Sequence, residues 1–115
     1  MNYSIIVTPP FKKEVKRLSK KYLSLKGDLQ ILQEELLNNP TIGANLGSGI
    51  RKVRMSIGSK GRGKSGGARV ITVTVLVNVE ETEINLLFIY DKSEHASITT
   101  GEIKALIREV GLGGI

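Results

Sequence analysis

Residues 69–79 read RVITVTVLVNV, and after a short break residues 84–90 read INLLFIY. β-Branched side chains dominate the first run, and their stiff Cβ suits a pleated strand better than a helix. The second run is apolar at nearly every position, which predicts a central strand buried on both faces. Glu80 and Glu81 form part of the turn between them. Two such runs in close succession commit the chain to a sheet, and the remaining elements have to cover it.

The rest of the chain supplies the cover. Residues 2–8 hold Ile5, Ile6 and Val7 and predict a short first strand. Thr8 followed by Pro9 reads as a helix start, and Phe11, Val15, Leu18 and Tyr22 recur at helical spacing. Lys12, Lys13, Lys16, Arg17, Lys20 and Lys21 fall between them and give that helix a basic, solvated face. Ser24 reads as the N-cap of a second helix with a stripe of Leu25, Leu29, Leu32 and Leu36, stopped by Asn38-Asn39-Pro40. The short break makes the pair a helical hairpin. Residues 40–49 read as a loop. Residues 51–57 alternate, with Val53, Met55 and Ile57 on one face and Lys52, Arg54 and Ser56 on the other. Thr99 and Glu102 have capping-box spacing ahead of Ile103, Leu106, Ile107 and Val110, a short last helix ended by Gly111.

The expected class is therefore α+β, in the order β-α-α-β-β-β-α. The last three strands form an antiparallel meander, and the helical hairpin packs on one face of the sheet. Lys52 and Arg54 are left on the other. A length of 115 residues gives one domain, residues 1–115, with a mobile tail over 111–115. The absence of cysteine excludes disulfides, thiolate zinc sites and a Cys nucleophile, and the lone His95 argues against a histidine metal cluster. No metal and no cofactor are expected. The first ten residues lack the apolar core of a signal peptide, and no apolar run reaches membrane-spanning length, so a cytoplasmic protein without membrane contact is expected.

Charge is distributed unevenly. Residues 51–69, RKVRMSIGSKGRGKSGGAR, hold seven of the seventeen basic residues, and no carboxylate lies anywhere in 36–79. A basic Gly/Ser loop between two strands, in a chain of net charge +6, is suited to holding the phosphates of RNA or DNA. Residues 58–65, GSKGRGKS, also match the nucleotide-binding pattern G-x-x-x-x-G-K-[ST] letter for letter. That chemistry needs a helix starting at the lysine to receive the phosphates. Gly66-Gly67 and a strand follow instead, so the match is read as chance and no nucleotide cofactor is expected.

Several segments together resemble the RelE/ParE superfamily of bacterial toxins, and within it the RelE/HigB-type branch with a Gly-Lys-rich loop. They are Phe11-Lys12-Lys13-Glu14 with Lys16-Arg17-Leu18, residues 50–54 (IRKVR), residues 60–71 (KGRGKSGGARVI) and residues 89–94 (IYDKSE). The resemblance implies a small antiparallel sheet under a helical hairpin. It implies the toxin of a type II toxin-antitoxin system, neutralised by a co-encoded antitoxin. In the RelE-like branch such a toxin is an mRNA endoribonuclease acting on the ribosome to inhibit translation. In the ParE-like branch it is a noncatalytic inhibitor of DNA gyrase, so the fold leaves that choice open. A nontoxic RNA-binding module is a third reading.

Metal-independent RNA cleavage needs a base for the 2′-hydroxyl, cations for the charge gathering on phosphate, and an acid for the leaving 5′-oxygen. The expected catalytic set is Lys52, Arg54, Arg69 and Lys92. Arg54 and Arg69 would stabilise the phosphate, Lys52 would transfer a proton, and Lys92, at a position where the resemblance puts active-site residues, would assist. Arg51, Lys60, Arg62 and Lys64 would hold RNA backbone, and Tyr90 would stack on a base or close the core. Lys52 and Arg54 could equally be a solvated face, and Lys92 a partner of Asp91 or Glu94. The segment 92–98 holds no arginine, unlike many related RNases.

Overall fold

The computed structural model describes residues 2–61 and 63–112. The elements are β1 (Asn2–Val7), α1 (Pro9–Lys21), α2 (Leu25–Asn38), β2 (Ala44–Gly47), β3 (Ile50–Met55), β4 (Ala68–Leu76), β5 (Glu81–Asp91) and α3 (Thr100–Glu109), with a short 3-10 turn at Gly58–Lys60. One five-stranded sheet has the order β1-β5-β4-β3-β2. β3, β4 and β5 form the expected antiparallel meander. β1 joins the outer side of β5 in parallel, an arrangement made possible by the helices that separate the two strands.

One strand lies where a loop was expected. β2 falls inside residues 40–49, and all four of its residues are exposed, so it carries no burial pattern to read. It is set by the turn that follows. Gly47, Ser48 and Gly49 all have positive φ (89°, 52° and 78°) and fold the chain back onto β3. Strand limits also shift: β4 stops at Leu76 and β5 begins at Glu81, because Asn78 Oδ1 accepts from the N–H groups of both Glu80 and Glu81 and tightens the connection.

The sheet has a core on each face. On one side the leucine stripe of α2, with Phe11 and Leu18 of α1, packs against Val53, Met55, Val70, Ile84, Leu86 and Ile89. On the other, Ile71, Val73 and Leu87 pack under Ile103 and the half-buried face of α3. A bulge in β5 serves both. Ile71 pairs with Phe88 and Thr72 with Leu86, so Leu87 is the extra residue. Leu87 and Phe88 both join the α3 side, while Leu86 before the bulge and Ile89 after it face the hairpin. The alternation of β5 is thus reset before it reaches Asp91.

The helix ends differ in how they are made. The Thr99/Glu102 capping box is present in full. Gly111 (φ 82°) and Leu112 close α3 with N–H bonds to the carbonyls of Arg108 and Ile107, and Leu112 packs against the second core. Residues 113–115 of the expected tail lie outside the described residues. Thr8 and Ser24 occupy their cap positions without a side-chain cap bond. Thr8 Oγ1 instead donates to the Leu86 carbonyl at 2.8 Å, and Ser24 Oγ donates to Asp28 Oδ2 at 2.8 Å.

Candidate nucleic-acid interface

Alternation along β3 sends Val53 and Met55 into the hairpin core and leaves Lys52 and Arg54 on the opposite face. Pairing with β4 sets Arg54 directly opposite Arg69, and pairing with β5 sets Arg69 opposite Tyr90. Arg54, Arg69 and Tyr90 therefore form one row across three strands. α3 covers the far end of this face, over Ile71, Val73 and Leu87, and the row lies beyond it.

A cleft of about 540 Å³ opens here, with Lys52, Arg54, Lys64, Arg69 and Lys92 among its lining residues. Its other wall is the β2 approach, residues 42–44, together with Glu35 of α2. β2 pairs with β3 only as far as Lys52, so the cleft reaches round the outer edge of β3 at Arg54. A smaller hollow of about 290 Å³ shares Glu35, Arg54 and Lys64 with it. No carboxylate bonds either cleft guanidinium among the described residues. Lys64 Nζ stands 4.0 Å from Glu35 Oε2. Two arginines opposed on adjacent strands repel, and an anion between them relieves that repulsion.

The five cations are held in different ways. Arg54 is exposed, whereas Arg69 is only 5% exposed. Arg69 Nη1 donates to the carbonyls of Lys64 (2.9 Å) and Ala68 (3.1 Å), and Nη2 donates to that of Ser65 (3.1 Å). Three of the five N–H donors of a guanidinium are thus spent on backbone carbonyls, two in the loop and one at the start of β4, and two are left. Lys92 Nζ reaches the Ala96 carbonyl at 3.4 Å, and its backbone N–H donates to Gly67 O at 3.1 Å.

Other residues expected at the site stand elsewhere. Arg51 shares the face of Val53, and its Nη1 is spent on the carbonyls of Thr41 at 3.0 Å and Gly43 at 3.5 Å, so it is not among the cleft's lining residues. Tyr90 is 2% exposed and meets His95 edge-on with ring centroids 6.2 Å apart, which leaves no open ring face for a base. Burial pushes the Tyr90 hydroxyl pKa up, and the Arg69 charge pulls it down. Arg62 lies outside the described residues. The helix that nucleotide binding would need after Lys64 does not form, since β4 follows.

Lys60 is drawn inward. Its ammonium donates to Asp91 Oδ1 at 2.7 Å, and its side chain is only 10% exposed. Asp91 is fully buried and also accepts from Tyr22 Oη at 2.5 Å and from the Ser93 N–H and Oγ at 3.0 and 2.7 Å. Burial would raise this carboxyl, but the bonds from Lys60, Tyr22 and Ser93 outweigh it and hold Asp91 well below the usual carboxylate range. The sequence carried a signal for this: an acid closing the apolar strand INLLFIY has to be paired if it is buried. No comparable signal marked Glu35, which reaches the cleft only through the packing of α2 on the sheet.

The family model for the RelE toxin of the RelE/RelB toxin-antitoxin system matches residues 11–111. The chain belongs to the RelE toxin family. The matched span takes in α1 from Phe11, all of α2 and α3, and four of the five strands, with the whole cationic cleft. This RelE-family chain is accordingly the toxin of a toxin-antitoxin pair, and an antitoxin protein is its partner. Among its described residues no helix is long and apolar enough to cross a membrane.

Proposed function

We propose that this RelE-family toxin is a metal-independent endoribonuclease that cuts mRNA on the translating ribosome. The observation that carries the reading is the in-register pairing of Arg54 with Arg69 at the open end of the sheet, inside a cleft lined also by Lys52, Lys64 and Lys92. In this scheme a phosphodiester sits over the arginine pair, and the two guanidinium groups take up the charge that develops on its non-bridging oxygens. Glu35 takes the proton of the 2′-hydroxyl, and the 2′-oxygen attacks phosphorus. The bond to the 5′-oxygen breaks, and Lys52 gives that oxygen its proton. The products are a 2′,3′-cyclic phosphate and a free 5′-hydroxyl. Lys92 adds positive charge beside the scissile group, and Lys64 holds the backbone.

Lys60 and Arg51 take no direct part in this scheme, because their cationic groups are engaged by Asp91 and by the carbonyl of Thr41. Tyr90 stands beside Arg69 in the row and closes its end by packing rather than by stacking on a base. A gyrase inhibitor has no need for such a phosphate grip, which is why the RNA reading is preferred. The test is to induce the protein in bacteria and sequence the RNA ends that appear, with translation running and with it blocked. Cuts inside translated codons that vanish when translation stops are expected. DNA breaks and an SOS response with intact mRNA would overturn the proposal.

A further inference from the structure

The basic loop between β3 and β4 is fixed at its first half, and the fixing group belongs to neither strand. Gly58 N–H donates to Asp28 Oδ2 at 3.0 Å, and Ser59 and Ser24 exchange bonds, each backbone N–H to the other's Oγ, at 2.8 and 2.9 Å. These bonds dock the 3-10 turn on the start of α2. Lys60 then turns away from solvent onto Asp91, with its ammonium 5.6 Å from the centre of the Tyr22 ring. Tyr22 is the C-cap of α1, Lys60 belongs to the loop, and Asp91 ends β5. One carboxylate therefore joins three parts of the chain that are remote in sequence. The second half of the loop, which carries Lys64, is held through Arg69, the Gly67–Lys92 backbone bond and the 4.0 Å approach of Lys64 to Glu35.

We propose that Asp91 is a positioning residue for the cleft: through Lys60 and Tyr22 it latches the basic loop to the hairpin, and so holds Lys64 and Lys92 in place beside the arginine pair. The residue after Asp91 is Lys92, whose N–H closes on Gly67 O at the loop's far end. Release of Lys60 frees the loop at one end and lets that closure open. The Arg69 bonds to the carbonyls of Lys64 and Ser65 then lose their fixed partners. Lys21 stands 3.8 Å from the same carboxylate, so a cation remains beside Asp91 when Lys60 is removed.

The inference rests on the RNA-cleavage reading for its catalytic consequence and on geometry alone for the latch. The test uses the full chain as Asp91→Asn, Lys60→Met and the double variant. Amide exchange at Lys92 reports loop closure directly, and is expected to speed up about tenfold in either single variant. Cleavage by the folded single variants should lose about tenfold or more in kcat. KM should change less, because Lys52 and Arg54 stay on β3. The double variant removes the same bond once more, so it is expected to lose no more than the larger single change in either readout, whereas two independent losses of stability would add. Unchanged exchange at Lys92 in both single variants overturns the latch. If Asp91→Asn does not fold, Lys60→Met carries the test by itself. Failure of the wild-type protein to cleave RNA would overturn the proposed function while the exchange result still decided the latch.

Discussion

Arg54 and Arg69 face each other across β3 and β4, and their environments give them separate parts. Arg54 is exposed, so its removal leaves the core untouched. Arg54→Ala should change stability by no more than about 0.5 kcal/mol. The same change should cost about 100- to 1,000-fold in mRNA cleavage, the size expected for losing one preorganised charge partner of a transition state. Denaturant midpoints and initial cleavage rates in a translation extract check the two halves. Glu35→Gln keeps the shape of the side chain and removes the base, so cleavage should fall about 100-fold or more with stability unchanged. Full activity in that variant would assign the base elsewhere. Arg69→Ala would be a poorer probe, since the carbonyls of Lys64, Ser65 and Ala68 lose their donor along with the cleft. Gly67 is fixed by space: a Cβ there would lie 2.1 Å from Met55 O, where the loop rejoins the sheet. Gly67→Ala should cost about 1–3 kcal/mol in a urea melt, as overpacking against rigid backbone does.

Each element carries a different share of legibility. The hairpin helices were readable because their apolar spacing is regular and their buried stripe is purely leucine and aromatic. β3 was readable because every second residue is charged or apolar in turn, and β4 because its side chains are β-branched. β2 was not readable: ANLG buries nothing, and its pairing follows from three successive positive-φ residues in the turn. The parallel position of β1 depends on where the helices return the chain, which no local pattern encodes. The cap of α3 was legible from Thr99 and Glu102 alone, and both of its bonds form, at 3.1 Å each. Thr99→Ala should therefore loosen α3 by about 1 kcal/mol. Faster amide exchange confined to residues 100–110, with the hairpin unaffected, is the expected signature.

For the molecule as a whole, acid is the condition that separates its parts. Burial works against the ionised form of Asp91, but the bonds from Lys60, Tyr22 and Ser93 more than offset it. Glu94 is held down by bonds from Arg17 at 2.8 and 3.0 Å, and Glu102 by the N–H and hydroxyl of Thr99. In each the folded pKa lies below the unfolded value of about 4. Their stabilisation is therefore fully present above that value and is lost as the pH falls through it toward the folded pKa. A stability profile flat from neutrality down to about pH 5, then falling steeply, is expected. Asp91→Asn should lower the plateau and flatten the acid limb, which a series of urea melts from pH 2 to 8 would read. A limb of unchanged steepness would mean that Asp91 contributes little to it.

What the amino-acid order determined here was set by short-range physics. β-Branched runs demand strands, leucine spacing demands helices, and a segment of seven cations without a carboxylate needs an anion. These constraints act within a few residues, so they survive reading in one dimension. The tertiary structure decided which cations meet. The β3–β4 register opposed Arg54 to Arg69, the bulge at Leu87 set Asp91 toward the hairpin, and that buried carboxylate drew Lys60 out of the basic set. Partner choice of this kind depends on distances between residues far apart in the chain, and burial sets its strength. Both quantities come into being only when the sheet closes.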